Sequence, residues 1–213
     1  MNPYQASERT EKICRLAPVI PVLVVQNPET ARPLAEALIS GGLPVLEITL
    51  RTKSALQVIS EMAKVPGAVV GAGTITKSND IKDAINAGAS FAVSPGVTDT
   101  ILEESERHNL AIMPGAATPS EIMRLFEFGY SVQKFFPAEA NGGRAALKAI
   151  AGPLPNVKFC ATGGINCDNA GGYLELENTL CVGGSWVATQ KLIENKDWRT
   201  IHDLAKKASI LVS

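Results

Sequence analysis

From Val19 onward, short apolar runs rich in β-branched residues alternate with longer stretches of mixed polarity. The apolar runs end in Gly, Pro, Ser or Thr, the pattern of repeated βαβ units with parallel strands. They predict eight strands: Val19–Val25, Val45–Leu50, Ala68–Gly73, Phe91–Ser94, Ala111–Pro114, Val132–Phe136, Lys158–Thr162 and Thr179–Gly183. Pro28, Ser54, Ser78, Thr98, Pro119 and Asn166 read as helix-start signals, and Gly88 and Gly129 as helix stops. Ahead of the first strand, Glu8–Leu16 predicts a short amphipathic capping helix.

The spacing is regular as well as the pattern. Thr74, Ser94, Pro114 and Lys134, each at the C-terminal end of a predicted strand, follow one another in steps of 20 residues. That step suits one short strand, one helix and two tight loops. Eight such units with right-handed crossovers predict an α/β fold, a (β/α)8 TIM barrel, with a doubly wound open sheet as the alternative. One domain over residues 1–213 is expected, with 1–17 as the N-terminal helix and 18–213 as the barrel, closed by the helical stretch Trp198–Ile210. Pro21 conflicts with a continuous first strand, because proline cannot donate to a ladder in a closed sheet, and it predicts a bulge or a late strand start.

Composition narrows the function classes. Lys+Arg 20 against Asp+Glu 21 leaves a formal net charge of -1, which gives no field for a nucleic-acid partner. No stretch reaches the roughly 20 apolar residues that span a bilayer, and the polar start MNPYQASERTEKICRL has no apolar signal core, so no membrane association and a cytoplasmic location are expected. Cys14, Cys160, Cys167 and Cys181 form no CxxC and read as reduced thiols filling the core.

Chemistry in such a barrel belongs to polar residues inside apolar strands near their C-terminal ends. Alternation along the second strand puts Val45, Glu47, Thr49 and Arg51 on one face, and along the sixth Val132, Lys134 and Phe136. A carboxylate and an ammonium inside a barrel are costly unless paired, so a Glu47–Arg51 or Glu47–Lys134 ion pair without chemistry is one reading. The other is that an amine among phenylalanines beside a cation such as Arg51 serves as a Schiff-base nucleophile, with Glu47 moving protons. Thr162-Gly163-Gly164 and Gly183-Gly184-Ser185 close the last two strands, where glycine amides and a short helix beginning at Ser185 would receive a phosphate. Thr74 and Arg51 are candidate donors to a substrate carboxylate, although Thr74 also reads as a helix cap. His108 and His202 both fall on or beside helices, away from strand ends, which argues against a metal centre and leaves no cofactor implied.

Taken together, Gly42-Leu-Pro-Val-Leu-Glu47-Ile-Thr-Leu-Arg51, Gly71-Ala-Gly-Thr74, Lys134-Phe-Phe-Pro-Ala-Glu-Ala-Asn-Gly-Gly143, Thr162-Gly-Gly-Ile165 and Gly183-Gly-Ser-Trp186 closely resemble the bacterial KDPG/KHG aldolases. The resemblance runs from about Val19 to Trp186. It implies a class I aldolase and homotrimer that cleaves 2-dehydro-3-deoxy-6-phosphogluconate to pyruvate and glyceraldehyde 3-phosphate, with 4-hydroxy-2-oxoglutarate as a further substrate. By the same resemblance Lys134 would form the Schiff base, Glu47 would shuttle protons and Arg51 and Thr74 would hold the carboxylate. Gly163, Gly164, Gly184 and Ser185 would hold the phosphate, and Pro95, Phe136 and Thr162 would line the pocket. Gln133 and Ala161 depart from the family pattern, which has an apolar residue and often a proline there. Alternation turns Gln133 toward the helices, so its effect is expected on packing, whereas Ala161 would loosen the loop at the far end of the substrate. A phosphosugar isomerase or synthase of the same barrel class, or a non-catalytic phosphometabolite-binding barrel, would share the glycines without needing Lys134.

Overall fold

The computed structural model describes residues 1–211; the last two positions of the predicted barrel segment, 212 and 213, lie outside them. Helix α1 (Pro3–Cys14) precedes β1 (Val19–Leu23), and the chain then alternates through α2 (Ala31–Ser40), β2 (Val45–Thr49), α3 (Ala55–Met62), β3 (Val69–Gly73), α4 (Asn79–Asn86), β4 (Phe91–Val93) and α5 (Asp99–Arg107). It continues through β5 (Ala111–Met113), β6 (Gly115–Ala116), α6 (Pro119–Glu127), β7 (Val132–Phe135), α7 (Gly143–Ala151), β8 (Lys158–Thr162), α8 (Ala170–Leu174), β9 (Thr179–Gly184), α9 (Gln190–Glu194) and α10 (Trp198–Ser209).

The strands pair in the order β5-β4-β3-β2-β1-β9-β8-β7-β6, all in parallel. β5 and β6, at the two ends of that order, are consecutive in the chain across Pro114 and act as one stave. The first half pairs with β4 and the second with β7, where Lys134 N donates to Pro114 O at 2.8 Å. The sheet is therefore an eight-staved barrel, as the eight predicted strands require.

Pro21 produces neither a bulge nor a late start. β1 begins at Val19, pairs with β9 through Pro21↔Gly184 and passes to β2 from Val22↔Glu47. The residue that lacks an N–H thus sits where the strand changes neighbours. The predicted amphipathic helix also begins earlier than Glu8: Pro3 occupies the first turn and Asn2 with Gln5 forms a capping box. This helix plugs the N-terminal mouth, where Ile13 and Cys14 pack with Val45, Phe91, Met113, Val132 and Cys181 inside the barrel. At the other end of the chain, α10 packs on α2 as predicted for the closing helix, so tightly that a Cβ on Gly41 would stand 2.6 Å from the Ala205 Cβ. Leu34, Leu38 and Ile201 are fully buried in this outer layer. Truncating one of them to Ala should cost about 2–5 kcal/mol. Among the described residues, no helix is long and apolar enough to cross a membrane.

Candidate active site

All five residues of β2 and all four of β7 are buried, and the pleat alone decides which of them face inward. It turns Glu47 and Lys134 to the barrel axis, where Lys134 Nζ donates to Glu47 Oε1 at 3.2 Å with both side chains almost completely enclosed. Lys134 Nζ also lies 5.2 Å from the centre of the Phe136 ring. Of the two ion pairs considered from sequence, only this one forms. Arg51 is exposed at the rim just beyond β2, and its Nε donates to Thr49 Oγ1 at 3.3 Å. Thr49 Oγ1 in turn donates to Leu23 O at 2.9 Å, so a buried hydroxyl holds the base of the arginine.

Above the pair, a cleft is lined by Arg51, Phe136, Thr162, Gly163, Gly164, Gly184 and Ser185, together with Val22, Ile165 and Gly183. The two glycine pairs reach it for different reasons. Gly163 and Gly164 have φ of +107° and +79°, a left-handed turn closed to most side chains. Gly184 is needed for space, because a side chain there would run into the Trp186 ring. The helix expected at Ser185 is a single 3₁₀ turn, Trp186–Ala188, and the α-helix itself starts at Gln190.

Thr74 and Pro95 stand at the ends of β3 and β4 and do not line this cleft. Thr74 is not a helix cap either: Ser78 occupies the N-cap position of α4, and Thr74 is held at φ +64°, an uncommon conformation for a β-branched residue. Gln133 faces α6 as alternation predicts, its Nε2 donating to Ile122 O at 3.1 Å and Tyr130 O at 2.8 Å. Ala161 lies within β8, buried and in register with Phe135 and Val182, rather than in the loop that follows. Cys14, Cys160 and Cys181 are core thiols; Cys167, against expectation, is exposed in the loop after β8. Cys160 sits beside Lys134 in the ladder, and a hydrogen bond from Cys181 holds its thiol below the usual range.

A model of the family described as KDPG and KHG aldolase matches residues 10–204. The chain belongs to the KDPG and KHG aldolase family. A 2-dehydro-3-deoxy-phosphogluconate aldolase of Pseudoalteromonas atlantica is 50% identical over 192 residues, 90% of this chain and 89% of the relative. Among solved structures, the KDPG aldolase of Legionella pneumophila with pyruvate captured as a covalent carbinolamine intermediate superposes with a TM-score of 0.91. It is 44% identical and covers 93% of this chain and 97% of its own. The 2-keto-3-deoxy-6-phosphogluconate aldolase of Zymomonas mobilis with 3-phosphoglycerate also gives a TM-score of 0.91, at 45% identity and 97% coverage of both chains.

Sequence reasoning about this family member missed several residues that line the cleft or support it from behind. Val22 was legible, since alternation from Ile20 turns it inward, and Gly183 is the neglected half of a glycine pair. Thr49 was placed on the inner face without a role. Two others, Glu139 and Tyr173, carried no local signal, and only the folded chain brings them together beneath the Gly163-Gly164 turn.

Proposed function

We propose that this family member is a class I aldolase that cleaves 2-dehydro-3-deoxy-6-phosphogluconate to pyruvate and glyceraldehyde 3-phosphate, and 4-hydroxy-2-oxoglutarate to pyruvate and glyoxylate. The observation that carries the reading is the buried Lys134–Glu47 pair under a glycine-rich cleft, with Nζ and Oε1 3.2 Å apart. Glu47 is placed to accept the proton that Lys134 must lose before its amine attacks the 2-oxo carbon. Glu47 returns that proton to the carbinolamine hydroxyl, which departs as water and leaves a protonated imine that withdraws electrons from the C3–C4 bond. Glu47, directly or through one water, takes the C4 hydroxyl proton as that bond breaks and returns a proton to the enamine, which hydrolyses to pyruvate and free Lys134.

Arg51, at the rim and steadied by Thr49, offers its guanidinium to the substrate carboxylate, and Thr74 offers a hydroxyl. Gly163, Gly164, Gly184 and Ser185 offer the phosphate backbone and hydroxyl donors, and Phe136, Thr162 and Pro95 shape the space between. The Zymomonas relative with 3-phosphoglycerate is consistent with such a phosphate end. The protein is further proposed to be cytoplasmic, in keeping with four unpaired cysteines, and to form a homotrimer. Exposed Met123, Phe126 and Phe128 on and beside α6, with Tyr4 nearby, offer apolar surface for such contacts.

Incubation with pyruvate, reduction with borohydride and peptide mapping tests the chemistry. Added mass at Lys134 is expected; a folded protein left unmodified there would overturn the aldolase reading in favour of an isomerase or a binding protein. Light scattering in solution tests the trimer.

A further inference from the structure

Directly beneath the Thr162-Gly163-Gly164 turn runs the segment from Pro137 to Glu139. Ala138 N donates to Thr162 O at 2.8 Å, and Glu139 N donates to Gly163 O at 3.0 Å. Asn169, at the N-cap position of α8, donates from Nδ2 to Gly164 O at 3.1 Å. Three successive carbonyls are therefore drawn away from the cleft. In a trans peptide the carbonyl and the following N–H point in opposite directions, so the N–H groups of Gly163, Gly164 and Ile165 turn the other way, toward the cleft these residues line. Such a row of amides suits an anion.

Two of those three anchors depend on where the Pro137–Glu139 segment sits, and one side-chain contact ties that segment to α8. The hydroxyl of Tyr173, on α8, donates to Glu139 Oε1. Tyr173 is fully buried, and both its burial and the Glu139 carboxylate raise its hydroxyl pKa, so it remains a donor. The fit is close on both sides. A Cβ on Gly164 would lie 2.7 Å from the Glu139 Cβ, and Gly143 approaches the Tyr173 hydroxyl from α7. Glu139 does not itself line the cleft, so its charge is spent on the tyrosine rather than set against a bound anion.

We infer that Glu139 and Tyr173 are positioning residues that hold the Gly163–Ile165 amides in place for the phosphate end of the substrate. The inference rests on the aldolase reading above. It requires the pair to matter for phosphorylated ligands alone: Lys134 is fixed by the ladder pairings of β7, upstream of Pro137, whereas the brace acts on the turn after β8.

The test compares Tyr173→Phe and Glu139→Ala with Glu139→Gln, which keeps an acceptor for the tyrosine. For the phosphorylated six-carbon acid, the first two should raise KM by roughly 10-fold, the scale of a lost hydrogen bond to a charged group, with kcat within about twofold. Kinetics with 4-hydroxy-2-oxoglutarate should stay at the wild-type level, and Glu139→Gln should restore most of the phosphorylated-substrate KM. A parallel rise for both substrates, or no rise in Tyr173→Phe, would overturn the inference. Calorimetric titration with inorganic phosphate reads the brace without turnover. Weaker binding by Tyr173→Phe than by wild type supports it even if pyruvate trapping fails in both and the aldolase reading falls, and equal binding refutes it. Should Glu139→Ala not fold, Tyr173→Phe, which keeps the buried ring, decides alone.

Discussion

Gly73 leaves open the space that the Glu47 side chain fills: a Cβ at position 73 would stand 2.6 Å from Glu47 Cγ and 2.8 Å from its carboxyl carbon. The two residues lie on adjacent strands, β2 and β3, with no slack around them. Gly73→Ala should therefore displace the carboxylate from Lys134 while leaving the lysine itself in place. Turnover is expected to fall by about 100-fold, the scale of a lost acid/base group, with pyruvate still trapped at Lys134 by borohydride. Full turnover in this variant would mean that the observed position of Glu47 is not needed for catalysis.

Thr74 combines backbone strain with a proposed binding role. A β-branched residue at φ +64° costs on the order of 1–3 kcal/mol, and glycine would relieve most of it against its own entropic penalty. Thr74→Gly should thus be more stable than wild type by about 1 kcal/mol in urea unfolding. The pyruvate concentration needed for half-maximal trapping should rise in the same variant. A stabilised variant with unchanged pyruvate affinity would remove Thr74 from the carboxylate site.

Gln133 lies next to Lys134 in sequence but on the opposite face. Its Oε1 is buried without a partner among the described residues, while its Nε2 makes two hydrogen bonds. Replacing it with Met removes an orphaned acceptor and two hydrogen bonds together, terms of about 1–3 kcal/mol that oppose each other. Gln133→Met should shift stability by no more than about 1 kcal/mol and leave kcat unaltered. A large fall in kcat would reveal coupling from the helix side of β7 to the lysine.

Cys167 is exposed, whereas Cys14, Cys160 and Cys181 are enclosed in the barrel. A thiol-specific disulfide reagent should label one cysteine in the native protein and all four cysteines in denaturant. Cys167→Ser should abolish the native reaction. Rapid labelling of a second thiol in that variant would show that the barrel interior opens on the reaction timescale.

Strand number and polarity, the order of the helices and the inward orientation of Glu47 and Lys134 were all determined by the sequence itself. Each follows from a local periodicity, two residues for a strand and about 3.6 for a helix, which requires no knowledge of the neighbours. The family could be read in the same way, from ordered motifs. What only the tertiary structure decided involves partners far apart in the chain. Glu47 takes Lys134, 87 residues away, rather than Arg51, because barrel closure brings β2 and β7 to one axis while the end of β2 carries Arg51 out to the rim. Pro21 is accommodated where β1 passes from one neighbour to the other, which no pattern within β1 encodes. The meeting of Glu139 with Tyr173, and the space that Gly73 leaves for Glu47, likewise exist only once neighbouring strands and helices pack together. Periodicity specifies which way a side chain points, and packing specifies what it meets there.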